Sequence, residues 1–162
     1  MKRIVTVLLL ILMCTSLLSG CIASVAEPEI KSCEFNFSVT YELQGEIHTV
    51  SGVYVCKYEG VEWVIDGGFH REWSGYIKGG EMEDNILIGK SANGGDIDLK
   101  LALEPDYFMG DTYYAIPEPM IIVTVSDDEG FYFQNDPEVV EATYGAKIIS
   151  YEYDQPIKNS FN

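Results

Sequence analysis

Basic residues are scarce in this chain: Lys and Arg number 10 against 26 Asp and Glu, for a net charge of −16. Such an acid excess repels nucleic acid and anionic lipid alike, so no nucleic-acid partner is expected. Histidine, the commonest catalytic base and metal ligand, occurs only as His48 and His70. Also missing are Gly-x-Ser-x-Gly, Ser-x-x-Lys, His-Glu-x-x-His, Cys-x-x-Cys and the Gly-x-x-x-x-Gly-Lys phosphate loop. Nucleophilic, zinc-dependent and nucleotide-driven chemistry are therefore left without a signature. The expectation is a non-enzyme with no catalytic residue, no metal ligand and no cofactor. No internal repeat and no low-complexity tract interrupts the chain. An apolar content of 47% with 11 tyrosines argues against disorder.

What is present begins with an address. Lys2 and Arg3 precede an apolar stretch, Ile4 to Met13, broken only by Thr6 and resumed at Leu17-Leu18. Small residues and a cysteine follow, in the three-part layout of an export signal. The apolar part falls short of the roughly 20 residues that cross a bilayer as a helix, which weakens a spanning-helix reading. Leu18-Ser19-Gly20-Cys21 resembles the lipobox of bacterial lipoproteins. That resemblance covers about the first 20 residues. It implies cleavage before Cys21, diacylation of the Cys21 thiol, and anchoring on the extracytoplasmic face of the cell membrane. The alternative is a plain secretory signal with an incidental cysteine. Loss of residues 1–20 removes two basic residues and no acid, which takes the net charge from −16 to −18.

Residues 21–32, rich in small and polar side chains, read as a lipid-anchored tether, and 33–162 as one β-rich domain. Glu34 to Leu43 alternates Phe35, Phe37, Val39, Tyr41 and Leu43 against polar neighbours, the period of a half-buried strand. Gln44-Gly45 turns the chain and Ile47 to Tyr58 returns. A turn centred there sets Val39 opposite Val50, Phe37 opposite Gly52, Phe35 opposite Tyr54, His48 opposite Tyr41 and Cys33 opposite Cys56. The last pair suggests a disulfide, with two buried thiols as the alternative. Further strands are expected at Val61–Ile65 after a Glu59-Gly60 turn, then around Trp73–Ile77, Asn85–Gly89, Asp96–Leu103, Met120–Ser126, Phe131–Phe133 and Lys147–Tyr153. Residues 104–119 read as a long loop, from which Phe108 and Met109 either stay exposed or dock inward. Asp136 or Asn135 caps a short helix that starts with Pro137 and closes at Gly145, and 154–162 is a tail. Many short strands with one short helix predict an all-β fold, a mostly antiparallel sandwich or open barrel.

The best contact candidates are Trp63, Trp73, and Tyr107, Tyr113 and Tyr114 on the long loop, since aromatics form flat, rigid platforms for sugars or proteins. His70 lies in the densest polar-aromatic cluster, Asp66 to Trp73. Three functions follow. A membrane-anchored binding module for an extracytoplasmic protein, peptide or glycan is the leading one. A small hydrolase using His70 with Asp66 and Glu72 is the second. A calcium-stabilised domain using Glu81–Asp84, Asp96/Asp98 or Asp127–Glu129 is the third, though none has calcium-loop spacing. The Tyr54-Val55-Cys56 strand and the Asp66-Gly67-Gly68-Phe69 turn make the domain similar to small Gram-positive lipoproteins, a resemblance that implies no particular activity.

Overall fold

Two-residue alternation dominates the chain, and it builds sheets. The computed structural model describes residues 25–65, 67–79, 85–112, 117–127 and 130–162. Cys21, Asp66, Glu81–Asp84, Tyr113, Tyr114, Asp128 and Glu129 lie outside the described residues. Strand β1 (Ser32–Leu43) and strand β2 (Glu46–Val64) pair antiparallel in the expected register, with Cys33 on Cys56, Phe35 on Tyr54, Val39 on Val50 and Tyr41 on His48. The turn between them is tight because Gln44 and Gly45 both take positive φ, 54° and 86°, the geometry of a two-residue hairpin.

Strand β3 (Gly68–Ile77) pairs with β2, and strand β8 (Ala146–Tyr153) pairs with β1, giving a first sheet of order β3-β2-β1-β8. A second sheet runs β4 (Asn85–Lys90), β5 (Asp96–Lys100), β6 (Met120–Asp127) and β7 (Gly130–Gln134) in that spatial order, again antiparallel. The fold is all-β. The inward residues of both sheets share one core, with Phe35, Phe37 and Val39 from one side and Ile97, Leu99 and Val123 from the other. Strand β6, the most apolar, is interior to its sheet.

A short helix, α1 (Pro105–Phe108), packs against the first sheet on the segment read as a loop. Phe108 and Met109 take the inward alternative: they are 1% and 0% exposed. The Phe108 ring packs on Phe35 at 4.9 Å and edge-on to Tyr54 at 5.8 Å between centroids. Helix α2 (Pro137–Tyr144) begins as expected, with the Asp136 carboxylate accepting from the backbone N–H of Glu138 and Val139, and it ends at left-handed Gly145. Val140 points into the core, whereas Val139 is exposed.

Three expectations require correction. Glu59-Gly60 is not a turn: β2 runs straight through it, because β3 pairs with both halves and a bulge between Tyr58 and Gly60 absorbs the odd residue. Strand β5 stops at Lys100, although Leu101 and Leu103 stay buried; Ala102 takes φ 53°, which breaks the pleat between them. Over residues 25–32 the tether is part of the domain, because the C-terminal segment folds back onto it. Glu27 and Asn162 exchange backbone hydrogen bonds of 3.1 and 3.0 Å, Glu29 N donates to Ser160 O at 2.8 Å, and the Asn159 amide bonds both N–H and C=O of Ile30.

Candidate functional site

The cluster from Arg71 to Trp73 is divided by the strand pleat. Arg71 and Trp73 point to the core side of β3, where both reach Asp111 beyond α1. Arg71 Nε donates to the two carboxylate oxygens at 2.9 and 2.8 Å, Arg71 Nη2 adds a further bond, and Trp73 Nε1 donates at 2.7 Å. Arg71 Nη1 donates to Ala26 O at 3.0 Å, and its guanidinium lies 3.9 Å from the Phe161 ring centroid. Burial alone would push the Asp111 carboxyl up; the bonds from Arg71 and Trp73 outweigh it and hold the group below the ordinary carboxylate range. Trp73 is therefore a structural residue, packed on Tyr58 and tied to Asp111. This knot joins β3, the segment after α1 and both ends of the described chain.

His70 and Glu72 point the other way, onto the exposed face. Among the described residues, His70 pairs with Glu62 across the hairpin, 3.9 Å from Nε2, with both side chains about half exposed. His70 and Glu72 thus share an open strand face and do not converge in a cleft. His48 stacks on Tyr41 at 5.3 Å, the packing role its register suggested. Trp63 sits across from Phe69 near the end of the β2–β3 hairpin and is 56% exposed. Among the acids, Asp96 pairs with Lys90. Asp98 is raised by burial and then by Asp96. Among the described residues no group of three His, Cys, Asp or Glu is placed to hold a metal ion.

Cys33 and Cys56 face each other as direct partners, and both carry free thiols. The two-residue turn, together with Tyr58 N donating to Lys31 O at 2.8 Å, makes theirs a hydrogen-bonded pair, the wider of the two antiparallel spacings. Cys56 is fully buried, and burial first, then Cys33 and Asp106, push its thiol up to about 12.

A concave site lies beside the free edge of β8. A cleft of about 520 Å³ opens between the end of that strand and the segment around α1, walled by Tyr107, Tyr151 and Tyr153 and rimmed by Asn36, Glu152 and Gln155. The Tyr151 and Tyr153 rings stand 5.5 Å apart. Asp154 closes one end, its carboxylate accepting from Asn36 N at 2.6 Å and Asn36 Nδ2 at 2.9 Å. Among the described lining residues there are two carboxylates, Glu152 and Asp154, and no basic side chain. A second cleft of about 610 Å³ follows the other half of β8 beside α2 and shares Tyr151 with the first. Sequence reasoning named Tyr107 on its loop but missed Tyr151 and Tyr153. Their two-residue spacing on the last strand was visible; that the strand forms a sheet edge was not.

Comparison with protein-family models, with curated proteins and with solved structures returned no match.

Proposed function

We propose that the chain is a lipid-anchored extracytoplasmic binding module that takes a neutral or cationic ligand, a glycan or a basic peptide, in the cleft beside β8. The anchor rests on Leu18-Ser19-Gly20-Cys21. The binding role rests on one observation: a cleft of about 520 Å³ with three tyrosines and two carboxylates on its walls. That volume and that mixture of aromatic faces with a few polar groups are typical of small-ligand sites. Tyrosine faces stack on sugar rings or attract ammonium groups, and the carboxylates exclude anions.

The test is a titration of the full chain with an N-acetylglucosamine tetramer and, separately, with tetralysine, followed by melting temperature and tyrosine NMR shifts. One of the two is expected to raise the melting temperature, and Tyr151→Ala, at a 39% exposed position, to abolish the rise without lowering the unliganded value much. No response to either probe, or an undiminished response in Tyr151→Ala, counts against the site. The anchor is tested separately by mass and cell fractionation of Cys21→Ala.

A further inference from the structure

The β2–β3 hairpin ends in an apolar tip that none of the described residues covers. Val61, Trp63, Val64, Ile65 and Phe69 are 42%, 56%, 42%, 80% and 49% exposed. Trp63 and Phe69 are cross-strand partners, as are Val61 and Arg71, and all four side chains lie on one face of the hairpin. Toward the body of the domain that same face carries the Arg71–Asp111 knot. Beyond it, no described strand of the second sheet lies over the face. Single exposed apolar residues are ordinary, but Val61, Trp63 and Phe69 on one face, with Ile65 at the turn, form a patch of the kind that marks a docking surface.

The position of the N-terminal segment says what covers the tip. Arg71 holds Ala26 O, so the chain comes onto the domain beside β3, two residues along the strand from Phe69. Two residues of strand span about 7 Å. Between Ala26 and Cys21 lie only residues 22–25, and the steps from 21 to 26 reach at most roughly 17 Å when fully extended. If Cys21 carries acyl chains, the apolar tip is held within reach of the membrane surface. Charge favours the same occupant. A second copy of a chain with net charge −16 is repelled, and the outer face of this hairpin carries Glu62 and Glu72. A zwitterionic bilayer carries no net charge to oppose it. Aromatic residues prefer the headgroup level, where ring and backbone both find partners, and at that depth the Glu62–His70 face stays in water.

We infer that the β2–β3 tip is a second, non-covalent membrane contact, with Trp63, Ile65 and Phe69 lying in the headgroup region of a zwitterionic bilayer. This rests on the lipid-anchor reading of Cys21 and adds that the domain is oriented on the membrane instead of swinging from it.

The experiment uses the full lipidated chain in phosphatidylcholine vesicles with and without brominated acyl chains. Trp63 and Trp73 are the two tryptophans, so the difference between wild type and Trp63→Phe isolates Trp63. Expected are a blue-shifted Trp63 emission, a roughly twofold loss of it to shallow bromines, and protection from aqueous iodide. Ile65→Glu, at an 80% exposed position, should reverse all three while the protein still floats with the vesicles. Flotation with Trp63 open to iodide and untouched by bromine overturns the inference and leaves the anchor standing. Protection from iodide without bromine quenching also overturns it, in favour of contact between copies. Failure to float, with no acyl mass on Cys21, removes the anchor and this inference together.

Discussion

Asp111 gathers more of the structure than any residue the sequence pointed to. It accepts from Arg71 and Trp73, and through Arg71 it secures Ala26 and Phe161. A carboxylate whose folded-state pKa lies below its unfolded value contributes stability in full above about pH 4, and the contribution is lost as pH falls through the folded value. Asp111→Asn should therefore cost about 2 kcal/mol at pH 7 by denaturant unfolding, and the gap to wild type should narrow toward pH 2 as the wild-type group protonates. A gap that is constant with pH would show that charge is not what Asp111 contributes. Cys56 makes a second residue-scale case. In a hydrogen-bonded pair the Cβ atoms stand toward the far end of the ~4.5–5.5 Å range, wider than the ~3.5–4.5 Å of a disulfide. A thiol pushed up to about 12 also supplies almost no thiolate for exchange. Native alkylation is expected to label Cys33 and spare Cys56 until the chain unfolds; a native mass lower by two hydrogens, with neither residue labelled, would show that the bond forms. The facing pair was legible in the sequence because parity around a two-residue turn is local arithmetic. The role of Asp111 was not, since its partners lie about 40 positions away.

At the scale of elements, local chemistry was readable wherever one element decides its own boundary. Asp136-Pro137 with Gly145 frames α2 because cap, first turn and left-handed stop all act within ten residues. The Glu59-Gly60 turn failed for the opposite reason: a Glu-Gly step permits either a turn or a bulge, and only the pairing with β3 chooses. Gly75 shows how tightly that pairing is fitted. A Cβ there would stand 1.8 Å from Tyr54 Oη and 2.3 Å from Tyr54 Cζ, and Tyr54 is buried with its hydroxyl donating to Leu103 O at 3.0 Å. Gly75→Ala should cost about 2–3 kcal/mol by displacing that ring. Tyr54→Ala removes the obstacle, so the double variant should lose clearly less than the two single losses together. Strict additivity in thermal or denaturant unfolding would place the strain elsewhere.

For the molecule as a whole, the chain ends matter more than their composition suggests. Residues 22–32 look like a tether and 154–162 like a tail, because small and polar residues with prolines carry no strand period. Residues 27–30 and 159–162 are tied to each other: Pro28 bridges Phe161, Glu27 pairs with Asn162, and the Asn159 amide fills both bonding positions of Ile30. Such contacts, some 130 positions apart, leave no trace in a local reading. Ile157 N also donates to Phe108 O at 2.9 Å, so the same tail fastens the segment that plugs the core. Truncation after Gln155 should therefore behave as a core lesion. The six lost hydrogen bonds and the Phe161–Arg71 contact, at roughly 0.5–1 kcal/mol each, predict a destabilisation of about 3–7 kcal/mol and a fall in melting temperature on the order of 10–25 °C. Protease sensitivity should rise at the same time near Ala26, whose carbonyl loses the Arg71 side chain once Phe161 no longer supports it. A truncated chain with an unchanged melt would mean that the two ends decorate the domain without closing it, and the short reach between Cys21 and the sandwich would then lengthen by the residues set free.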